Sequence, residues 1–157
     1  MHEIAGDLAG RRPPAEDLVD AEVGLTVTHR RYVPYAHAHY GGSLVDGAYT
    51  LGLFGDVATE VAIRTDGDEG LLAGYSEVSF LAAVQAGDVL EAFCEVVRVG
   101  RRSRELRCWA DVVARAEPAR GASAAQLLDP PLRVVEARAT LVVPAPTSEP
   151  TRQDLDR

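Results

Sequence analysis

Apolar residues return along this chain in two rhythms. Leu44, Ala48, Leu51, Phe54, Ala58 and Val61 recur every three or four positions, which draws a single stripe along an α-helix. Elsewhere the interval is two. Val23, Leu25 and Val27 alternate with Gly24, Thr26 and Thr28, and Val78 and Phe80 with Glu77 and Ser79. Leu106, Cys108, Ala110 and Val112 share one side of a later segment whose other side carries Arg107, Trp109 and Asp111. Period two marks a strand with one buried face. The pattern predicts strands over 23–33, 71–80, 89–99, 105–114 and 133–143. It also predicts one long helix, capped by Ser43 or Asp46 and ending near Arg64, before the turn-forming run Thr65–Gly70. Residues 117–131, small, polar and proline-bearing, read as a loop with one short helical turn at Ala122–Leu128.

The later strands follow one another through short turns with no second helix between them, which argues against a parallel doubly wound sheet. An antiparallel sheet needs its apolar face covered, and a single helix is available to cover it. The predicted fold class is α+β: a hotdog fold, with an antiparallel β-sheet wrapped around one long central α-helix. Gly47, Gly52 and Gly55 sit inside that helix, where each costs about 1 kcal/mol relative to alanine; they read as clearance for sheet and ligand. A half-open sheet of this kind completes itself by pairing with a second copy, so a homodimer is expected. The domain is expected to span residues 22–143, after a loosely ordered N-terminal arm (1–21) and before a disordered C-terminal tail (144–157).

Composition narrows the partners. A formal net charge of −8 over 157 residues disfavours nucleic acid and anionic membranes, which reward clustered positive charge. No apolar run approaches the ~20 residues of a membrane span, and the first residues lack the character of a signal peptide, so the expected location is cytoplasmic. All 16 basic residues are arginine. Without lysine there is no Schiff-base nucleophile and no phosphate-loop lysine. Cys94 and Cys108 fall in strand segments and read as reduced, buried thiols.

The candidate chemistry concentrates in and before the helix. Asp56 and Glu60 are four apart and stack on one helix face; by spacing alone they fit an acid–base pair or a solvated pair held by Arg64 equally well. Gly41, Gly42 and the first helical amides form either an oxyanion site or a plain tight turn. His39 and Tyr40 can orient a substrate or move a proton. His37 and His39 lack a third ligand close in sequence, so no metal is expected. Arg101, Arg102, Ser103 and Arg104 cluster at a hairpin, where arginine forks suit phosphates and also simply solubilise a turn.

The segment His39-Tyr40-Gly41-Gly42-Ser43-Leu44-Val45-Asp46-Gly47-Ala48, followed by Phe54-Gly55-Asp56-Val57-Ala58-Thr59-Glu60, resembles the β-aminoacyl-CoA ammonia lyases. The resemblance continues through Gly74-Tyr75, Ala86-Gly87-Asp88, Val99–Ser103 and Asp129-Pro130-Pro131 to Ala137–Thr140. It implies the hotdog fold and reversible elimination of ammonia from a β-aminoacyl-CoA such as 3-aminobutyryl-CoA or β-alanyl-CoA, with no cofactor beyond the CoA of the substrate. Such elimination needs a base for the α-proton, donors for the enolate oxygen and a group to manage the amine. On that expectation Glu60 is the general acid/base, Asp56 its partner, His39 and Tyr40 assist, Gly41 and Gly42 hold the oxyanion, and Arg101, Arg102, Ser103 and Arg104 bind CoA. Asp46 and Tyr49, where the sequence departs from the family pattern, line the acyl end. The expected assembly is a homodimer or a hexamer made as a trimer of dimers. The competing readings are an acyl-CoA or acyl-carrier thioesterase, an enoyl-CoA hydratase, and a non-catalytic acyl-CoA-binding module.

Overall fold

A computed structural model describes residues 23–145. The expected arm and all but residues 144–145 of the expected tail therefore lie outside the described residues. The elements run β1 (Thr26–Tyr32), α1 (Gly47–Asp66), β2 (Leu71–Phe80), β3 (Val89–Val99), β4 (Ser103–Ala116) and β5 (Ala125–Val142). All strands pair antiparallel in the order β1-β3-β4-β5-β2, and α1 contacts every one of them. Hydrophobic periodicity alone thus located the sheet and the helix that crosses it.

Asp46 caps α1, its Oδ1 accepting the Tyr49 amide at 3.0 Å. Ser43 is the second residue of a positive-φ pair with Gly42 instead (φ 65° and 75°). The helix ends at Gly67, φ 66°, whose amide reaches the Ile63 carbonyl, the left-handed stop for which glycine is suited. Its buried face comprises Thr50, Leu53, Phe54, Val57, Ala58, Val61, Ala62 and Thr65. Relative to the sequence stripe this face is rotated, so that Ala48 is exposed and Thr50 lies inside.

One boundary differs from expectation. Residues 125–131 belong to β5, not to a loop with a helical turn. The prolines are tolerated because, among the described residues, this part of β5 pairs only with β4, leaving its other side free of a ladder. They also fall at the register shift between Val112 and Ala114.

Of the helix glycines, only Gly47 is sheet clearance: a Cβ there would lie 2.4 Å from the Phe80 ring. Gly52 faces open space, and a Cβ at Gly55 would meet nothing closer than Tyr75 Oη at 4.0 Å. Cys94 and Cys108 are register partners on β3 and β4. Both are fully buried free thiols, and the hydrogen bond between them, with burial, pushes the Cys94 thiol far up.

Candidate active site

The two halves of the expected site lie apart. Period two along β1 turns Val27, His29 and Arg31 to one side, and the last two meet α1. His29 Nε2 lies 2.5 Å from Glu60 Oε2, and Arg31 lies 3.6 Å from Asp56. Two residues along a strand advance about 6.6 Å and four along a helix about 6 Å, so the pairs form rungs between antiparallel elements. Arg64 completes the arrangement, with Nε 2.9 Å from Glu60 Oε1. Hydrogen bonds from His29 and then Arg64 hold the Glu60 carboxyl below the usual range. Such a carboxylate is a poorer base than an ordinary one. His29 carries no motif, and its only sequence signal is its alternation with Val27 and Arg31.

Fourteen positions before Glu60, the chain builds a different cluster around Asp46. The loop His39–Ser43 is closed at its base by the Ala38–Val45 bridge and by the His39 and Tyr40 amides, which both reach the Leu44 carbonyl. His39 Nδ1 lies 3.7 Å from Asp46 Oδ2, and the His39 and Tyr40 rings meet edge to face at 4.6 Å. Gly41 and Gly42 are exposed members of this turn, with Gly42 supplying its positive φ; they line neither cavity described below.

The segment before α1 is stitched to the β2–β3 connection. Val45 donates to the Val84 carbonyl and Ala86 to the Ser43 carbonyl. That connection is itself pinned by the fully buried Asp88, which accepts from the Gln85 amide and from both Nε and an Nη of Arg115. The bond to Asp88 outweighs burial and raises the Arg115 pKa.

Two cavities flank the N-terminal half of α1. The first, about 590 Å³, runs beside Arg31, His37, Asp46, Tyr49, Gly52 and Asp56. Asp46 and Asp56 are ten residues apart, about 15 Å along the axis, so this is a groove with a carboxylate at each end. Tyr49 stacks obliquely on His37 at 4.8 Å, and burial raises its phenol pKa against the opposing influence of Arg31. The second cavity, about 420 Å³, lies between the first turn of α1 and the β2–β3 connection, with Tyr40, Asp46, Thr50, Phe80, Val84 and Val135 on its walls. Asp46 is common to both. Tyr49 donates its amide to Asp46, which leaves the Gly47 and Ala48 amides of the first turn pointing off the helix end.

Arg104 departs from its expected role as a CoA ligand. Its side chain is 6% exposed and pairs with Asp66, itself 2% exposed, at 2.8 Å. It also donates to the Gly100 and Ser103 carbonyls, so the guanidinium staples the β3–β4 hairpin to the end of α1. Arg101 and Arg102 remain exposed, and Ser103 is half-buried at the start of β4. This hairpin sits at the C-terminal end of the 20-residue helix, about 30 Å from the N-cap. Among the described residues no His, Cys, Asp and Glu side chains assemble into a metal-holding group. No helix there is long and apolar enough to cross a membrane.

A family model described as the thioesterase superfamily matches residues 43–110. The chain is 47% identical over 107 residues to a 3-aminobutyryl-CoA ammonia lyase of Acetoanaerobium sticklandii, covering 68% of this chain and 85% of that relative. In structure it is similar to the β-alanyl-CoA:ammonia lyase of Clostridium propionicum. The TM-score is 0.73 at 32% identity, over 77% of this chain and 86% of that one. A hexameric hotdog-fold thioesterase of Campylobacter jejuni shares the fold alone (TM-score 0.62, 16% identity, 81% of this chain and 90% of that one).

Proposed function

The chain belongs to the β-aminoacyl-CoA ammonia lyase family, and we propose that it reversibly eliminates ammonia from a short β-aminoacyl-CoA to give the α,β-unsaturated thioester. The observation that carries the placement of the chemistry is Asp46: its carboxylate lines both cavities, at the helix end where the first amides are free. In this reading the thioester oxygen lies against the Gly47 and Ala48 amides, whose dipoles stabilise the enolate as it forms. Asp46 takes the α-proton; the electron pair forms the Cα–Cβ double bond, and the Cβ–N bond breaks with its pair leaving on nitrogen. An ammonium substituent thus departs as ammonia, and the proton on Asp46 then converts it to ammonium. His39 and Tyr40, beside Asp46, orient this end. Asp56 and Glu60, which the motif singled out, serve chiefly to lock α1 to β1.

CoA binding in this reading involves a second copy. The Arg101–Arg102 hairpin is too far from its own N-cap for one thioester to span comfortably. Among the described residues β2 has a partner, β5, on one side only, and Leu71 and Phe80 at its ends are exposed. The Leu71 end lies beside Val142 and so beside the hairpin, since Val143 donates to the Arg102 carbonyl; the Phe80 end lies against Gly47. Antiparallel pairing of two β2 edges brings the hairpin of each copy toward the α1 N-terminus of the other. The acyl-CoA substrate and self-association follow from the same arrangement.

The test is incubation of crotonyl-CoA or acryloyl-CoA with the protein and ammonium, following enoyl absorbance and free thiol. Enoyl loss that requires ammonium is the expected result. Thiol release without ammonium would mean a thioesterase, enoyl loss without ammonium a hydratase, and neither signal a binding module.

A further inference from the structure

Thr50 is the one threonine of α1 whose hydroxyl goes unused. Thr59 donates to the Gly55 carbonyl at 3.0 Å, and Thr65 to the Ala62 carbonyl and Asp66. Thr50, 1% exposed, has no hydrogen-bonding partner for Oγ1 among the described residues. Leaving a buried hydroxyl unsatisfied is destabilising, and valine, of the same shape, carries no such cost. The position also belongs to the apolar face, four residues before Phe54 and seven before Val57. A polar atom held there at a loss is accounted for by something that binds it.

Thr50 lines the 420 Å³ cavity, whose other polar side chains are Asp46 and the half-exposed Tyr40. The remaining walls, Val45, Phe80, Val84 and Val135 among them, are apolar, and the volume falls in the range of small-ligand sites. The wall is firmly held: Phe80 packs into the space left by the missing Cβ of Gly47, and Arg115 donates to the Ala83 carbonyl while it grips Asp88. A ligand matching these walls has a short apolar segment and a cationic group rich in N–H donors.

We propose that this cavity is the amine subsite of the lyase, and that Thr50 Oγ accepts a hydrogen bond from the β-ammonium group, or from ammonia in the reverse direction, while Asp46 supplies the counter-charge. The inference rests on the lyase reading and adds to it a specificity residue. A site whose buried acceptor is filled by an N–H donor rejects a partner lacking one, and valine in place of Thr50 removes that distinction without changing shape.

The experiment is initial-rate amination of crotonyl-CoA as a function of ammonium for wild type, Thr50→Val and Thr50→Ser, with thermal melts of each. Thr50→Val is expected to melt at or above wild type, to raise KM for ammonium at least about tenfold, and to leave KM for crotonyl-CoA nearly unchanged. Thr50→Ser restores the wild-type split. Should the valine variant melt early, Thr50→Ala, which cannot overpack, is expected to show the same selective rise. An unchanged KM for ammonium in a folded variant, or equal rises for valine and serine, overturns the subsite while leaving the lyase standing. A wild type that never aminates the thioester overturns both.

Discussion

Arg104 and Asp66 allow the sharpest test of how the hairpin works. The two side chains, 6% and 2% exposed, meet at 2.8 Å at the C-terminal end of α1, and the guanidinium further ties the Gly100 and Ser103 carbonyls. Arg104→Met keeps most of the volume and removes the charge that faces the buried Asp66 carboxylate. Breaking a buried pair in this way costs about 3–5 kcal/mol. For a domain of this size 1 kcal/mol shifts Tm by about 4 °C, so Arg104→Met is expected to melt about 10–20 °C early. The double variant Arg104→Met with Asp66→Leu removes both charges and recovers much of that loss. Circular-dichroism melts at fixed protein concentration read the stability, and KM for crotonyl-CoA reads the ligand site below the transition. A Tm near wild type together with a raised KM in Arg104→Met would refute the structural role and return Arg104 to the phosphate-binding group. Arg101→Ala and Arg102→Ala are expected to do the reverse, weakening CoA binding with little change in melting.

Other consequences concern α1. Gly55→Ala is expected to stabilise the protein by about 0.5–1 kcal/mol from helix propensity, because the nearest atom to the new Cβ is 4.0 Å away. Gly47→Ala meets the Phe80 ring at 2.4 Å; overpacking offsets the propensity gain, and the displaced ring lowers turnover through the second cavity. Glu60→Gln is expected to keep turnover within about threefold of wild type, against the 10²–10⁴-fold effect of losing an acid–base group. The folded pKa of Glu60 is depressed by His29 and Arg64. Its contribution to stability is therefore present above the unfolded carboxyl pKa of about 4.3 and is lost as pH falls through the lower folded value. Chemical denaturation of wild type and Glu60→Gln across pH 3–7 checks this through a stability gap that closes on the acid side.

The fold was legible because it is written in periodicity. The bounds of β2 and β3 coincide with the expected Leu71–Phe80 and Val89–Val99, and α1 extends only two residues beyond Arg64. The start of β5 was obscured by Pro130 and Pro131, whose tolerance depends on having no strand on one side, a tertiary fact. The site was legible only in part. His39, Tyr40 and Asp46 come together as their closeness in sequence allows. Spacing cannot say which element a helix face meets: Glu60 meets His29 and Asp56 meets Arg31, both on β1 some thirty residues upstream, while Asp56 also lines the groove that Asp46 enters. Arg104 differs from Arg101 and Arg102 by alternation into the sheet, and Thr50 from the other threonines by falling within the buried stripe. Both signals were in the pattern, yet only packing gives them meaning.

The central claim is that the reactive end lies at the α1 N-cap, and Asp46→Asn addresses it directly. Asparagine caps a helix as well as aspartate does, so the fold and the Tyr49 amide contact survive while the carboxylate is lost. Measured by ammonium-dependent enoyl loss, kcat is predicted to fall about 10²-fold or more with an unchanged melting curve. A folded Asp46→Asn variant with near-wild-type kcat, set beside an inactive Glu60→Gln, would contradict the account and move the chemistry to the α1–β1 seam.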